Sequence, residues 1–179
     1  MTDQLRAAAG RPVTQQSMTS EVRALLSSLT SQRNHVLGIL EGLSDAALRR
    51  PVLPSGWTCL GLVRHLALDV ERFWFRAVVA GETVDLENGD AAWQVAPDIR
   101  SDEIFALYRQ EIDHADAIIA STPADAGPAW WPETIFPGLP SQTLRTTVLH
   151  VITETACHAG HLDAVRELSD GRTWLVVTD

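Results

Sequence analysis

Residues 150–168 read HVITETACHAGHLDAVREL, and the period of this stretch decides the fold class. Set Glu154 at zero and step about 100° per residue. His158, His161, Val165, Val151 and Thr147 then fall at about +40°, −20°, +20°, +60° and +20°. They share one stripe of a helix, while Asp163 and Arg145 fall on the opposite side. The stripe, with Val151, Val165 and Leu168, is expected to face a core. A carboxylate and two imidazoles sit in its middle.

Other segments repeat at helical spacing. Val22, Leu25, Leu26, Leu29, Val36, Leu37 and Leu40 mark a first helix over 20–43, capped by Thr19 or Ser20. A connector follows, with room for a short helix at Ser44–Arg49; Pro51 and Pro54 forbid a long one. A second helix is expected over 59–79, ending before Gly81. Residues 81–100 read as a loop with a partly buried Trp93. Ser101-Asp102-Glu103 opens a third helix over 101–120, with Ser101 as the capping hydroxyl and the acids on the positive end of the dipole. Residues 122–140 form a long loop rich in Pro, Gly and Trp. The fourth helix is expected over 141–168, and the tail TWLVV either forms a short strand or docks on the bundle. Four long helices without strand pairs give an all-α four-helix bundle. The connections 81–100 and 121–140 exceed what tight antiparallel neighbours need, so one or both cross an end of the bundle or cover a site.

Composition narrows the function. The chain has 179 residues, 45% apolar and 21% charged, which suits one domain with a real core. Residues 1–18 lack an apolar face and read as a disordered segment, with Met18 a second candidate start; 19–179 form the domain. The net charge of −9 disfavours nucleic acid. The sequence contains neither a basic amphipathic helix nor an apolar run of the roughly 20 residues that span a bilayer, and a cytoplasmic protein is expected. Cys59 and Cys157 read as two reduced thiols.

Burying Glu154, His158 and His161 unpaired would cost several kcal/mol, so hydrogen bonds among them or a cation must compensate. Glu at i and His at i+4 aim oxygen and nitrogen donors at one point. A third ligand must come from another helix. His65 is the candidate, on a stripe with Leu62, Leu68, Asp69 and Arg72. His65, Glu154 and His158 would leave coordination positions open, as at a catalytic ion. His161 is a candidate fourth ligand or supporting donor, and Asp69 a supporting acceptor for His65. Trp130 and Trp131 are candidates to wall a pocket. Cys157, at the edge of the stripe, is a candidate neighbour of the ion, though a small buried apolar role is favoured. His35, His114 and His150 read as structural or surface residues. Phosphate loops, nucleophile elbows and HExxH are missing.

GWTCLGLVRHLALDVERFWF and, far downstream, TLRTTVLHVITETACHAGHLDAVREL resemble the DinB-like superfamily, in particular its actinobacterial single-domain branch. That branch is related to mycothiol-dependent S-transferases and to the N-terminal domain of mycothiol-dependent maleylpyruvate isomerase. The resemblance spans about residues 20–170. It implies a four-helix bundle with long crossover loops, a homodimer, and zinc, nickel or another divalent ion. The ion would be held by a His of the second helix and two residues one turn apart on the last. Matched residue by residue, these are His65, Glu154 and His158, a His, Glu, His set like that of the isomerase.

Three functions follow as expectations. The first is a metal-dependent S-transferase that joins a low-molecular-weight thiol such as mycothiol to an electrophile, the ion holding the thiol as thiolate. The second is a metal-dependent hydrolase with Glu154 or Asp69 as base. The third is a non-catalytic, stress-linked dimeric protein whose metal serves stability. Mixed nitrogen and oxygen ligands suit zinc, nickel, iron or manganese.

Overall fold

The structure, a computed structural model, describes residues 18–86 and 89–174. The expected disorder at the N-terminus falls outside this range except at Met18, which packs against the core. Of the tail TWLVV only Thr173 and Trp174 lie within it. Among the described residues the regular elements are all helical, and no helix is long and apolar enough to cross a membrane.

Helix α1 spans Ser20–Leu40. Thr19 caps it, its hydroxyl accepting from the Val22 N–H at 3.2 Å. The helix stops three residues short of the expected Leu43. Glu41 leaves helical geometry and Gly42 turns to a φ of 81°, a conformation without a Cβ penalty only for glycine. The short helix α2, Asp45–Leu48, is capped by Ser44. Helix α3 begins at Cys59, capped by the Thr58 hydroxyl, and is α-helical over Cys59–His65. It then continues without interruption as a π-helical segment, Leu66–Val79. Only Asp69, Arg72 and Arg76 of that segment escape full burial, so it runs through the interior.

A 3₁₀ turn, Gly89–Trp93, interrupts the next connection. Helix α4 spans Ser101–Ser121. Its start corrects the expected cap. Arg100, not Ser101, is the flanking residue, and its N–H donates to Glu103 Oε1 at 3.3 Å. The Ser101 hydroxyl instead meets the Asp45 carboxylate, tying α4 to α2. Helix α5 spans Leu144–Asp170, capped by Thr143 and closed by Gly171 at a φ of 78°, the usual left-handed stop.

Helix α1 packs along α5 and α4, and α3 with its π-helical extension packs along α4 and α5. The first and second long helices are therefore diagonal partners, and so are α4 and α5. Both the 41–58 connector and the 122–143 loop cross the bundle. The 80–100 connection joins adjacent helices. The crossing loop is pinned to the end of α3, where the Ala129 and Trp130 N–H groups donate to the carbonyls of Val79 and Val78, each at 3.2 Å. These bonds satisfy acceptors that a helix end leaves open.

Candidate metal centre

Helix α5 buries most of the stripe its spacing suggests, Thr147, Val151, His158 and Val165, but the centre of its core face lies beyond that stripe. Val148, Val151, Thr155, Ala159, Leu162 and Arg166 are buried, whereas Leu168 is 67% exposed. The expected central stripe is thus one edge of the buried face. Small residues such as Thr155 and Ala159 form the true contact with the neighbouring helices, and they carry little apolar signal. Glu154 and His158 consequently stand where the core gives way to a cavity.

His65 arrives from α3 at the junction with the π-helical segment. Donor atoms of His65, Glu154 and His158 all lie within 4.8 Å of one another. The two imidazoles meet edge to face with centroids 5.1 Å apart. His65 Nδ1 lies 2.8 Å from Asp69 Oδ2. An ionised carboxylate only accepts, so Nδ1 carries the proton and the Nε2 lone pair is free. That Nε2 is buried and has no hydrogen-bond partner. His158 Nε2 lies 3.1 Å from Glu154 Oε1, and His158 Nδ1 is likewise buried without a partner. Burial, and then the neighbouring His65, hold the His158 imidazole below its ordinary pKa. The neutral ring is the form that binds metals.

These residues fit a divalent ion. Each unpartnered buried polar atom costs about 1–3 kcal/mol, and a cation held here would satisfy His65 Nε2. Two imidazoles and a carboxylate suit zinc, nickel, iron or manganese.

Trp93 is the site residue that spacing did not reveal. Its indole stacks on His65 with centroids 4.2 Å apart and planes at 16°, and approaches His158 at 5.7 Å. The 3₁₀ turn delivers it, anchored by Arg64 Nη1 donating to the Ala91 carbonyl at 2.7 Å. A Cβ at Gly61 would sit 2.3 Å from the Trp93 carbonyl oxygen. A glycine on α3 therefore allows the turn to approach. That glycine facing a Trp-bearing connector is the only sequence signal of the contact.

The remaining candidates separate. His161 is exposed, 5.5 Å from the His158 ring and 6.2 Å from Trp57, outside the converging set. A cavity of about 670 Å³ opens beside the centre, and His65, Asp69 and Glu154 are among its lining residues. Trp131 lines it; Trp130 and Cys157 do not. Cys157 is exposed rather than buried, and Cys59 is the buried thiol. His150 also lines the cavity, packed edge-on to Trp74 at 4.7 Å. His35 serves structure, bonding Asp163 at 2.8 Å and stacking on Trp174 at 4.9 Å. His114 lies 3.9 Å from Glu111 on the same helix.

The fold and site together define a helical-bundle protein with a candidate His/Glu metal site beside an open cavity. A family model described as MST, mycothiol-S-transferase, matches residues 24–171, from within α1 to the residue that closes α5. The chain belongs to the mycothiol S-transferase family, in agreement with the resemblance carried by its second and last long helices. No curated protein matches the chain closely.

Proposed function

We propose that the protein is a metal-dependent S-transferase that joins mycothiol, or a thiol like it, to an electrophile. One observation supports this above the others. Two of the residues that converge as a candidate metal site, His65 and Glu154, also line a cavity large enough for a small organic molecule. A divalent ion bound by His65, Glu154 and His158 would supply the Lewis acidity that keeps a thiol ionised at neutral pH.

The rest is the work of this chain. Asp69 fixes the tautomer and direction of His65. Trp93 covers the face of His65 and keeps water from it. The aromatic walls of the cavity lower the local polarity, so a desolvated sulfur reacts faster. The thiol's proton leaves to solvent, sulfur forms a bond to the electrophilic carbon, and the leaving group departs with its bonding pair. No protein nucleophile is required, and Cys157 lies away from the cavity.

The test uses protein purified without a histidine tag. Elemental analysis should find about one divalent ion per chain. Conjugation of mycothiol to a reactive electrophile should be lost after chelation and in His158→Ala, with helicity by circular dichroism intact. Equal rates with and without metal would overturn the reading.

A further inference from the structure

We propose that His150 is a catalytic residue of the transfer, its ring N–H donating a hydrogen bond to the atom that leaves the electrophile. The proposal rests on the transferase reading for the reaction; the choice of residue comes from the walls of the cavity. Sulfur bonds to carbon as the bond to the leaving atom breaks, so negative charge gathers on that atom in the transition state. A donor already in place there stabilises the transition state more than the ground state.

The polar groups that line the cavity narrow to one. His65 is engaged at both nitrogens, Nδ1 by Asp69 and Nε2 by the ion it would hold. Asp69 and Glu154 only accept. The indole Nε1 of Trp131 is buried. Gln142 precedes α5, whose first residue, Leu144, lies about 15 Å from Glu154 along the helix axis. His150 stands one turn, about 6 Å, before Glu154 on that helix. It is half-buried, it lines the cavity, and Trp74 packs edge-on to its ring at 4.7 Å. Neither of its ring nitrogens has a hydrogen-bond partner among the described residues, and neither is shut off from the cavity by burial.

The direction of the reaction agrees with this placement. Displacement runs in line, with sulfur approaching carbon from the side opposite the leaving atom. A sulfur held at His65, Glu154 and His158 therefore sends the leaving atom out into the cavity, along the wall that α5 continues from Glu154 to His150. The leaving atom cannot pass to the ion instead, because sulfur lies between them. The hydrogen bond needs no change of protonation, since a neutral imidazole carries one N–H and an imidazolium two. The sulfur lone pair becomes the new bond to carbon, the leaving atom departs as an anion with its bonding pair, and His150 keeps its proton.

The test compares two electrophiles that differ only in the leaving atom, 4-nitrobenzyl bromide and 4-nitrobenzyl chloride, with mycothiol and zinc-loaded protein. Chloride is the poorer leaving group and depends more on the donor. In His150→Phe, kcat should fall about 100-fold with the chloride and clearly less with the bromide, so the bromide-to-chloride ratio widens while KM changes little. His150→Gln keeps an N–H donor and should recover most of the rate with both. A second readout needs no turnover. The probe 4-nitrobenzyl alcohol carries an acceptor oxygen in place of the halide; added together with mycothiol, it should shift the imidazole nitrogen NMR resonance that His150→Phe removes. An unchanged ratio in His150→Phe, a His150→Gln variant as impaired as His150→Phe, or an unmoved resonance would overturn the proposal and leave His150 as packing for Trp74. Loss of zinc from either variant would overturn it too, by making His150 a support of the ion. Transfer by the parent with an unaltered ratio in His150→Phe sinks this proposal alone, whereas no transfer by the parent with either halide sinks the transferase reading with it.

Discussion

Trp93 lies flat against His65, their ring centroids 4.2 Å apart, although one belongs to a connector and the other to a helix. The stacking leaves His65 little freedom to rotate. Asp69 holds one ring nitrogen, Trp93 covers one face, and Nε2 is left aimed into the gap shared with Glu154 and His158. A flexible imidazole would lose rotamer entropy on binding an ion; this one has lost it on folding.

Gly61 is the residue on which that contact depends. A methyl group there would meet the carbonyl oxygen of Trp93 at 2.3 Å, and a backbone atom cannot swing aside as a side-chain tip can. Gly61→Ala should therefore push the 3₁₀ turn away from α3. Overpacking of this kind costs about 1–3 kcal/mol. The expected outcome is a lower melting temperature together with weaker zinc affinity in a competition titration. Unchanged zinc affinity would show that Trp93 plays no part in presenting His65.

Asp69→Asn separates orientation from ligation. The amide can still accept from His65 Nδ1–H, but without the negative charge that strengthens the ligand. Loss of such a partner typically lowers metal affinity by about 10–100-fold. Zinc affinity should fall in that range while folding is unaffected. His65→Ala should abolish stoichiometric binding. An Asp69→Asn variant that binds as tightly as the parent would remove the carboxylate from the site.

Much of this is readable in the chain. Thr19 announces a helix start that the structure keeps, and the short helix expected at Ser44–Arg49 is found as α2; the spacing of Glu154, His158 and His65 identifies the three residues that converge. What escapes has physical causes. The segment 66–79 is buried on nearly all sides, so its pattern does not distinguish π from α winding. The core face of α5 is built partly from Thr155 and Ala159, small side chains that permit close approach without an apolar signature, so spacing puts Leu168 on the wrong side. The contact between Trp93 and His65 joins residues of different elements and has no period to reveal it.

The two cysteines should behave oppositely. Cys157 is exposed, and Cys59 is 1% exposed with burial pushing its thiol up to about 11. A thiol-disulfide reagent at neutral pH should titrate one thiol in the folded protein and the second only after unfolding. Cys157→Ala should leave mycothiol transfer unchanged, because the side chain does not line the cavity. Loss of transfer in that variant would mean that the protein supplies its own nucleophile.

Arg33 and Glu71 present a different kind of commitment. They belong to diagonal helices, and their side chains meet in the middle of the bundle through two hydrogen bonds of 2.7 and 2.6 Å, with Asp116 of α4 2.7 Å from the same guanidinium. Both are 1% exposed. Burial, the larger influence, pushes the Glu71 carboxyl above its ordinary pKa, and Arg33 pulls against it. Arg33→Met removes the pull and leaves the acid alone, which should cost about 3–5 kcal/mol at neutral pH. In that variant the folded state holds a proton on Glu71 that the unfolded chain has released. Its stability should be fullest below the ordinary carboxylate range and fall as pH rises through it. Arg33→Met combined with Glu71→Leu should recover most or all of the loss, since an apolar pair of similar volume removes the stranded charge. Chemical denaturation of the three variants at acidic and neutral pH decides the matter: a double variant as unstable as Arg33→Met would show that the guanidinium, through Asp116 or its packing, matters more than its pairing with Glu71.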